Sequence, residues 1–487
     1  MEQTIINQNP HWTVKRYYFR INCFLFFLLS VLIATAQRNA DVQIKLSGLT
    51  DKQCILARYH GGKQYVEDTL SISKETISIK KNSPMTSGMY CLVSMDGNMI
   101  MDFFVDRHEQ QFSITSSLKN LPGDMKVKNS ENNALFYQWV NFISQNKHTA
   151  DSLGKIITAL YKEEKQQEAE TYIKKLEQLN SQATLKQKNF EKYPNLLVSR
   201  FMKAQQEVEI PFLHADSTEI SPQERLYYAQ NHYFDNMKLD DADLLHTPIY
   251  GKKLERYFNT LMTPIPDSVI KYSDMLIARA KGNFDTYKYV IWQSCYYAET
   301  AKEMGVENAF VHIIDTYYAQ NDSLLLPDMR SRLMKRADEL RPSLTGAKAP
   351  NMIIQDSAFI LRELHKMNAD FVIIYFFDPD CSHCKSETDT LLMLYNQERE
   401  NLNFDIFAVC SDTSMQKMKK YIQTKNIPWT VVNGPRTATK HYSTLYDVPS
   451  MPTLYMMDKN KIIIAKRLSA NQMIDMMRRK KNMIFEK

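Results

Sequence analysis

The sequence predicts a multidomain α+β protein: an N-terminal antiparallel β-sandwich, a central all-α region, and a C-terminal α/β domain in which strands and helices alternate. Three observations carry that expectation. Apolar and polar residues alternate with period two through residues 40–115, as in Val42, Ile44 and Leu46 or Met101, Phe103 and Val105. From about residue 130 to residue 341 the apolar period becomes helical. Beyond the Gly/Pro-containing linker "TGAKAPNM" (345–352), short apolar runs and helical stretches take turns until a hairpin closes the order. A chain of 487 residues suits several such units, since one domain accounts for roughly 100–200 residues.

The first segment reads as an export signal. Lys15, Arg16 and Arg20 precede the apolar run "INCFLFFLLSVLIATA" (21–36), whose exit Ala34-Thr35-Ala36 suits cleavage, so residues 1–36 are expected to be a secretory signal. An uncleaved anchor is the alternative, because the run is only slightly short of a membrane span. Either way the remainder leaves the cytoplasm, and no other stretch is apolar enough to span a bilayer. Cys23 opens the apolar run and is not placed for lipid attachment.

The sandwich is expected over 37–125, with Gly61-Gly62 and Asp96-Gly97-Asn98 supplying turns. Cys54 and Cys91 fall in separate strands, either paired or as two buried free thiols. The helical domain is expected over 126–345. A hairpin or pair of helices spans 130–208, with Leu153, Ile156, Ile157 and Leu160 and then Tyr172, Ile173, Leu176 and Leu179 at helical spacing. Further helices over 224–239, 252–262, 267–281, 287–305 and 329–341 are punctuated by Pro222, Pro248, Pro264, Pro266 and Pro327. The aromatic density at Trp292, Tyr296 and Tyr297 reads as core packing of that domain, with a ligand groove as the alternative.

The last domain, 346–487, is expected to hold a short helix with Leu361 and Leu364, the strand Phe371–Phe377, a helix over 382–398, the strand Phe404–Cys410 and a helix over 414–425. A short strand Thr430–Val432, a hairpin of Thr453–Met457 and Ile462–Lys466, and a helix capped by Ser469 complete it.

Composition narrows the function classes. The hydrophobic share of 44% and charged share of 24% are globular values. The 26 methionines are scattered without Met-x-x-Met clustering and read as core filler. A formal charge of +6 with basic runs such as Arg478-Arg479-Lys480-Lys481 at a helix end gives nucleic-acid binding no support. Beyond the signal the cysteines are Cys54, Cys91, Cys295, Cys381, Cys384 and Cys410, too few for a disulfide scaffold.

The pair in "YFFDPDCSHCKSE" (375–387) asks for its own explanation. A structural zinc site needs four ligands, and no second Cys-x-x-Cys or His-x-x-x-His accompanies it, so no metal or other cofactor is called for. A structural disulfide closing so small a loop would constrain little of the unfolded chain. Redox chemistry fits the placement. The strand "FVIIYFF" ends at Asp378-Pro379-Asp380, which puts Cys381 at a helix N-terminus, where unpaired N–H groups and the helix dipole stabilise a thiolate. Cys381 is therefore the expected attacking sulfur, and Cys384, one turn deeper, the resolving one. His383 can add positive charge beside the thiolate, while Asp378 and Asp380 oppose it, so the direction of electron flow is left open.

Met451-Pro452-Thr453 in "YDVPSMPTLY" (446–455) precedes an apolar strand some seventy residues later. Together with the Cys-x-x-Cys and the element order, it resembles the thioredoxin-like fold, and the resemblance implies a cis Pro452 that faces the cysteines and leaves Met451 backbone groups free for a substrate peptide. Over about 346–487 the chain is most similar to exported TlpA/ResA-type thiol-disulfide oxidoreductases: "GAKAPNM" matches their entry segment, and Glu387 completes a Cys-x-x-Cys-x-x-Glu pattern. The departures are Asp380 in place of a tryptophan, a Ser382-His383 dipeptide without proline, and Tyr375 where thioredoxin keeps a buried acid. Glu387 is then one candidate for proton handling and water the other. No proline-threonine peroxide-binding pattern precedes a lone cysteine, which disfavours a peroxidase. The stretches "NHYFDNMKLDDADLLHTPIYGKKL" (231–254) and "MGVENAFVHIIDTYYAQND" (304–322) resemble Gram-negative envelope proteins with a sandwich and a helical domain of unknown function ahead of such a module.

The resemblance implies a periplasmic or envelope enzyme that reduces or isomerises protein disulfides. Its partners would be protein thiols or disulfides and a membrane-borne electron donor or acceptor. The other class it must be weighed against is a partner-binding envelope protein whose cysteine pair is idle.

Overall fold

The computed structural model describes residues 39–214 and 218–485. The expected signal, 1–36, lies outside them. Among the described residues, no helix is long and apolar enough to cross a membrane. The chain divides into two compact units: one runs to Gln206 and takes in Asp243–Lys252, and the other holds Glu207–Ala242 and the chain from Lys253 on.

In the first unit β1 (Ala40–Ser47), β2 (Gln53–His60), β3 (Lys63–Ser73), β4 (Thr76–Lys81), β5 (Gly88–Ser94), β6 (Met99–Val105), β7 (Gln111–Ser117) and β8 (Lys126–Lys128) form one sheet in the order β6-β5-β2-β3-β4-β1-β7-β8. The 11-residue β3 joins its halves, pairing with β2 over most of its length and with β4 at Ile72 and Ser73. Both halves close on a single core, with Val42, Ile44 and Ile77 from one and Leu56, Leu92 and Phe103 from the other. Gly61 and Gly62, both at positive φ, make the two-residue β2–β3 turn that the glycine pair predicts. One pair departs from the antiparallel expectation. β1 and β7 run parallel, Val42 opposite Phe112, because five intervening strands carry the chain across before β7 returns beside the first.

Three helices follow, α1 (Glu131–Lys162), α2 (Gln166–Lys188) and α3 (Leu197–Ala204). The start of α1 seals a sheet edge. Asn133 presents its side-chain amide to strand β6 as another strand would, accepting from Phe104 N and donating to Phe104 O at 2.8 Å each. Leaving such buried backbone groups unpaired would cost about 1–3 kcal/mol each.

The second unit contains α4 (Pro222–His232), α7 (Pro266–Ala280), α8 (Phe284–Thr300), α9 (Glu307–Ile313) and α10 (Pro327–Leu340), while α5 (Ala242–Leu245) and α6 (Pro248–Arg256) straddle the division. The cap of α5's neighbour α4 is legible in the sequence: Ser221 and Glu224 form a reciprocal capping box with Pro222 in the first turn. The core-packing expectation for Trp292 and Tyr296 fails. They are 37% and 51% exposed and stack on each other along one face of α8, whereas Val290, Ile291 and Cys295 fill the buried face.

After the linker come β9 (Ile353–Asp356), β10 (Leu361–Glu363), β11 (Phe371–Phe377), α11 (Ser382–Leu402), β12 (Phe404–Cys410), α12 (Met415–Lys425), β13 (Thr430–Thr437), α13 (Tyr442–Leu445), β14 (Thr453–Asp458), β15 (Ile463–Lys466) and α14 (Ala470–Phe485). The sheet order is β10-β9-β13-β12-β11-β14-β15, with β11, β12 and β13 parallel. The short helix expected at Leu361 and Leu364 is instead a hairpin strand and a single 3-10 turn. Asp356 accepts the N–H groups of Ala358 and Ile360 and folds the chain back on β9, leaving Leu361 exposed on the sheet edge. All seven residues of β11 are buried, which explains its unbroken apolar run. Ile373, Tyr375 and Phe377 meet side chains of α11, α12 and α14, and Val372, Ile374 and Phe376 pack with Tyr446 and Tyr455 on the other face.

Candidate active site

β11 delivers the chain to a turn in which Asp380 N donates to Asp378 Oδ1 (2.8 Å) and Cys381 N to Asp378 O (3.2 Å). That turn stops the strand and leaves Cys381 as the N-cap of α11, in extended backbone geometry, its sulfur accepting from Cys384 N at 3.4 Å. The Cys381 thiol is held below its ordinary value by the Cys384 thiol and the Cys384 N–H, and further by the N–H of His383, against burial and the Asp378 charge. Cys384 is wholly buried, and burial pushes its thiol up to about 12. One turn of helix thus separates a half-buried, acidified sulfur from a buried, protonated one.

His383 is exposed, and its contribution to Cys381 is a backbone N–H, which any residue there would supply. The Met451–Pro452 peptide is cis, and Met451 O accepts from Cys381 Sγ at 3.7 Å, so Pro452 lies one residue from the reactive sulfur's carbonyl partner. The site therefore brings Cys381, Cys384, the His383 backbone and the Pro452 segment together.

Beneath the pair is a hydroxyl chain. Tyr375 donates to Cys384 O (2.9 Å) and lies 3.0 Å from Thr388 Oγ1, which also receives the Tyr421 hydroxyl at 2.9 Å. Burial raises both phenols, and the chain braces the helix start. Glu387 accepts the Ala470 N–H at 2.6 Å and caps α14. Asp380 pairs with Lys417 Nζ at 2.9 Å, which offsets the negative charge next to Cys381. Cys410, opposite Phe377, is buried with its thiol pushed up to about 12. Thr388, Tyr421 and Lys417 were not anticipated. Thr388 alone had a local signal, four residues beyond Cys384 on the same helix face.

A central parallel strand running into a helix capped by the first cysteine of a Cys-x-x-Cys, faced by a cis-prolyl segment, defines a thioredoxin-like domain. Residues 345–466 match the AhpC/TSA family, and residues 41–136 match a domain of unknown function, DUF4369. Among solved structures, a domain of a possible thiol-disulfide isomerase from Cytophaga hutchinsonii is 31% identical, covering 30% of this chain and 99% of that one, with a TM-score of 0.28. The thioredoxin domain of a thiol-disulfide oxidoreductase from Bacteroides vulgatus is 24% identical over 28% of this chain and 96% of that one, with a TM-score of 0.25. A thioredoxin-like protein from Bacteroides caccae is 17% identical over 56% of this chain and 98% of that one, with a TM-score of 0.44. No curated protein matches the sequence. Residues 345–466 form a thioredoxin-like domain of the AhpC/TSA family.

Proposed function

We propose that the chain is an exported thiol-disulfide oxidoreductase that reduces or isomerises protein disulfides in the periplasm, with residues 1–36 as its export signal. The observation that carries this reading is the opposed setting of two sulfurs on one helical turn: Cys381 acidified and reachable, Cys384 buried and protonated. The Cys381 thiolate attacks one sulfur of a client disulfide; a Cys381–client bond forms and the other client sulfur leaves as a thiolate. Cys384 then attacks Cys381, its proton passing to a departing client sulfur, and the second client thiol is released. Two electrons have moved to the client and the pair is oxidised. In isomerisation a client thiolate resolves the mixed disulfide and the pair stays reduced. Net reduction requires a membrane-borne dithiol donor to restore the pair. Pro452 would present the Met451 backbone to the client peptide, and the backbone N–H of His383 would help hold the thiolate.

The test is the full chain with Cys384→Ala. Stable mixed disulfides through Cys381 with exported client proteins are expected. No trapped species, with Cys381 still open to alkylation, would instead favour a partner-binding scaffold. A reduction potential near or below about −250 mV would mark a reductant, and one of roughly −120 to −180 mV a disulfide donor or shuffler.

A further inference from the structure

The segment that carries the Met451 carbonyl to the Cys381 sulfur begins at Asp447, and every polar atom of Asp447 is engaged. Arg336, on α10, grips its carboxylate with two parallel bonds, Nη1 to Oδ1 and Nη2 to Oδ2, each 2.9 Å. Arg467 donates to the same carboxylate from the end of β15. The Asp447 N–H donates to Ser343 Oγ at 3.2 Å, and Asp447 O accepts the Tyr455 hydroxyl at 2.8 Å. The Asp447 side chain is 7% exposed, so these bonds act with little competition from water. Ser343 is itself a buried junction, its carbonyl accepting from Lys466 Nζ at 3.0 Å while that ammonium pairs with Glu307 at 2.5 Å. Three of these residues, Glu307, Arg336 and Ser343, precede the α/β module in the chain.

We propose that Arg336 and Ser343 are positioning residues for the peptide-binding ledge of the redox site: acting through Asp447, they fix segment 447–451 and so the place of the Met451 backbone beside Cys381. The inference rests on the oxidoreductase reading above. It gives the helices ahead of the module a task in client recognition, because a bidentate Arg–carboxylate pair fixes direction as well as distance.

The test uses the full chain and the variants Arg336→Ala, Arg336→Lys and Ser343→Ala. Two substrates are compared, a peptide disulfide long enough to lie along the ledge and the small hydroxyethyl disulfide. In Arg336→Ala the KM for the peptide disulfide should rise about tenfold, the scale of a misplaced binding element, while kcat/KM for hydroxyethyl disulfide and the pH profile of Cys381 alkylation stay at wild-type values. Arg336→Lys, which keeps the charge but not the fork, should recover part of the loss. Amide exchange should quicken at Asp447, whose N–H is bonded to Ser343 Oγ, in both alanine variants, with β11 and α11 unchanged. Unchanged peptide KM and exchange, or equal losses with both substrates, would overturn the proposal. A wild-type chain inert toward both disulfides would overturn the oxidoreductase reading itself, and this proposal with it.

Discussion

Cys54 and Cys91 lie on adjacent antiparallel strands of the sandwich, and Cys381 and Cys384 lie on one turn of a helix. In the sandwich, Cys54 is opposite Ser94 and Cys91 opposite Ala57. The three-residue offset sends the two side chains to opposite faces of the sheet, Cys54 into the main core and Cys91 toward Asp102. They are two buried free thiols, each pushed up to about 11 chiefly by burial. In the C-terminal domain a helix N-terminus supplies N–H groups to one sulfur and withholds water from the other. Burial treats thiols alike; an asymmetric backbone environment separates them, and that separation is what thiol chemistry requires.

The largest expected effect is in reactivity. At pH 7 a thiol with a pKa near 11 is about 10⁻⁴ ionised, whereas one below the ordinary 9.0 is at least about 10⁻² ionised, so iodoacetamide should modify Cys381 at least about a hundred times faster than Cys54 or Cys91. Peptide mapping of the folded, reduced chain reads this directly, and comparable labelling of Cys91 would break the contrast.

Next in size is the dependence of stability on alkaline pH. Between the ordinary thiol value of 9.0 and about 11, the folded state keeps the Cys54 and Cys91 protons that the unfolded chain gives up. The unfolded state then binds fewer protons, so stability falls as pH rises, by up to about 1.4 kcal/mol per pH unit for each thiol. Denaturant titrations from pH 8 to 10 should show a shallower fall for Cys91→Ala than for wild type, and parallel curves would refute the account. Cys381 has the opposite sign. Its lowered value makes the thiolate a stabilising group above the ordinary value, lost as pH falls through the folded one.

Tyr375→Phe should cost about 1–2 kcal/mol by freeing the Cys384 carbonyl and the Thr388 hydroxyl from a buried partner. If the hydroxyl chain only braces the helix, thermal unfolding will show this loss while the alkylation profile of Cys381 stays put. A changed profile would give Tyr375 a part in proton transfer.

The smallest effect is expected at Lys417. The pair with Asp380 is exposed and screened, so Lys417→Met should raise the apparent Cys381 value only slightly, and less in high salt. A larger rise would make Asp380 a stronger brake on the thiolate than its exposure suggests.

Sequence alone determined the order of most elements and the place of the cysteine pair at a strand-to-helix junction, because those signals are local. The apolar run Phe371–Phe377, its stop at Asp378-Pro379-Asp380, the three-residue cysteine spacing and Met451-Pro452 before a strand each follow from neighbours a few residues apart. Local pattern misled at Leu361, where two leucines three apart look helical but an Asp356 turn makes a hairpin, and at Trp292 and Tyr296, whose aromatic character says nothing about which helix face is covered. Only the tertiary structure decided the rest. Arg336 meets Asp447 across 111 positions, Asn133 closes the edge at Phe104, and β7 returns beside β1. Such pairings depend on chain closure and on burial of charge away from water, and neither leaves a periodic trace in the sequence.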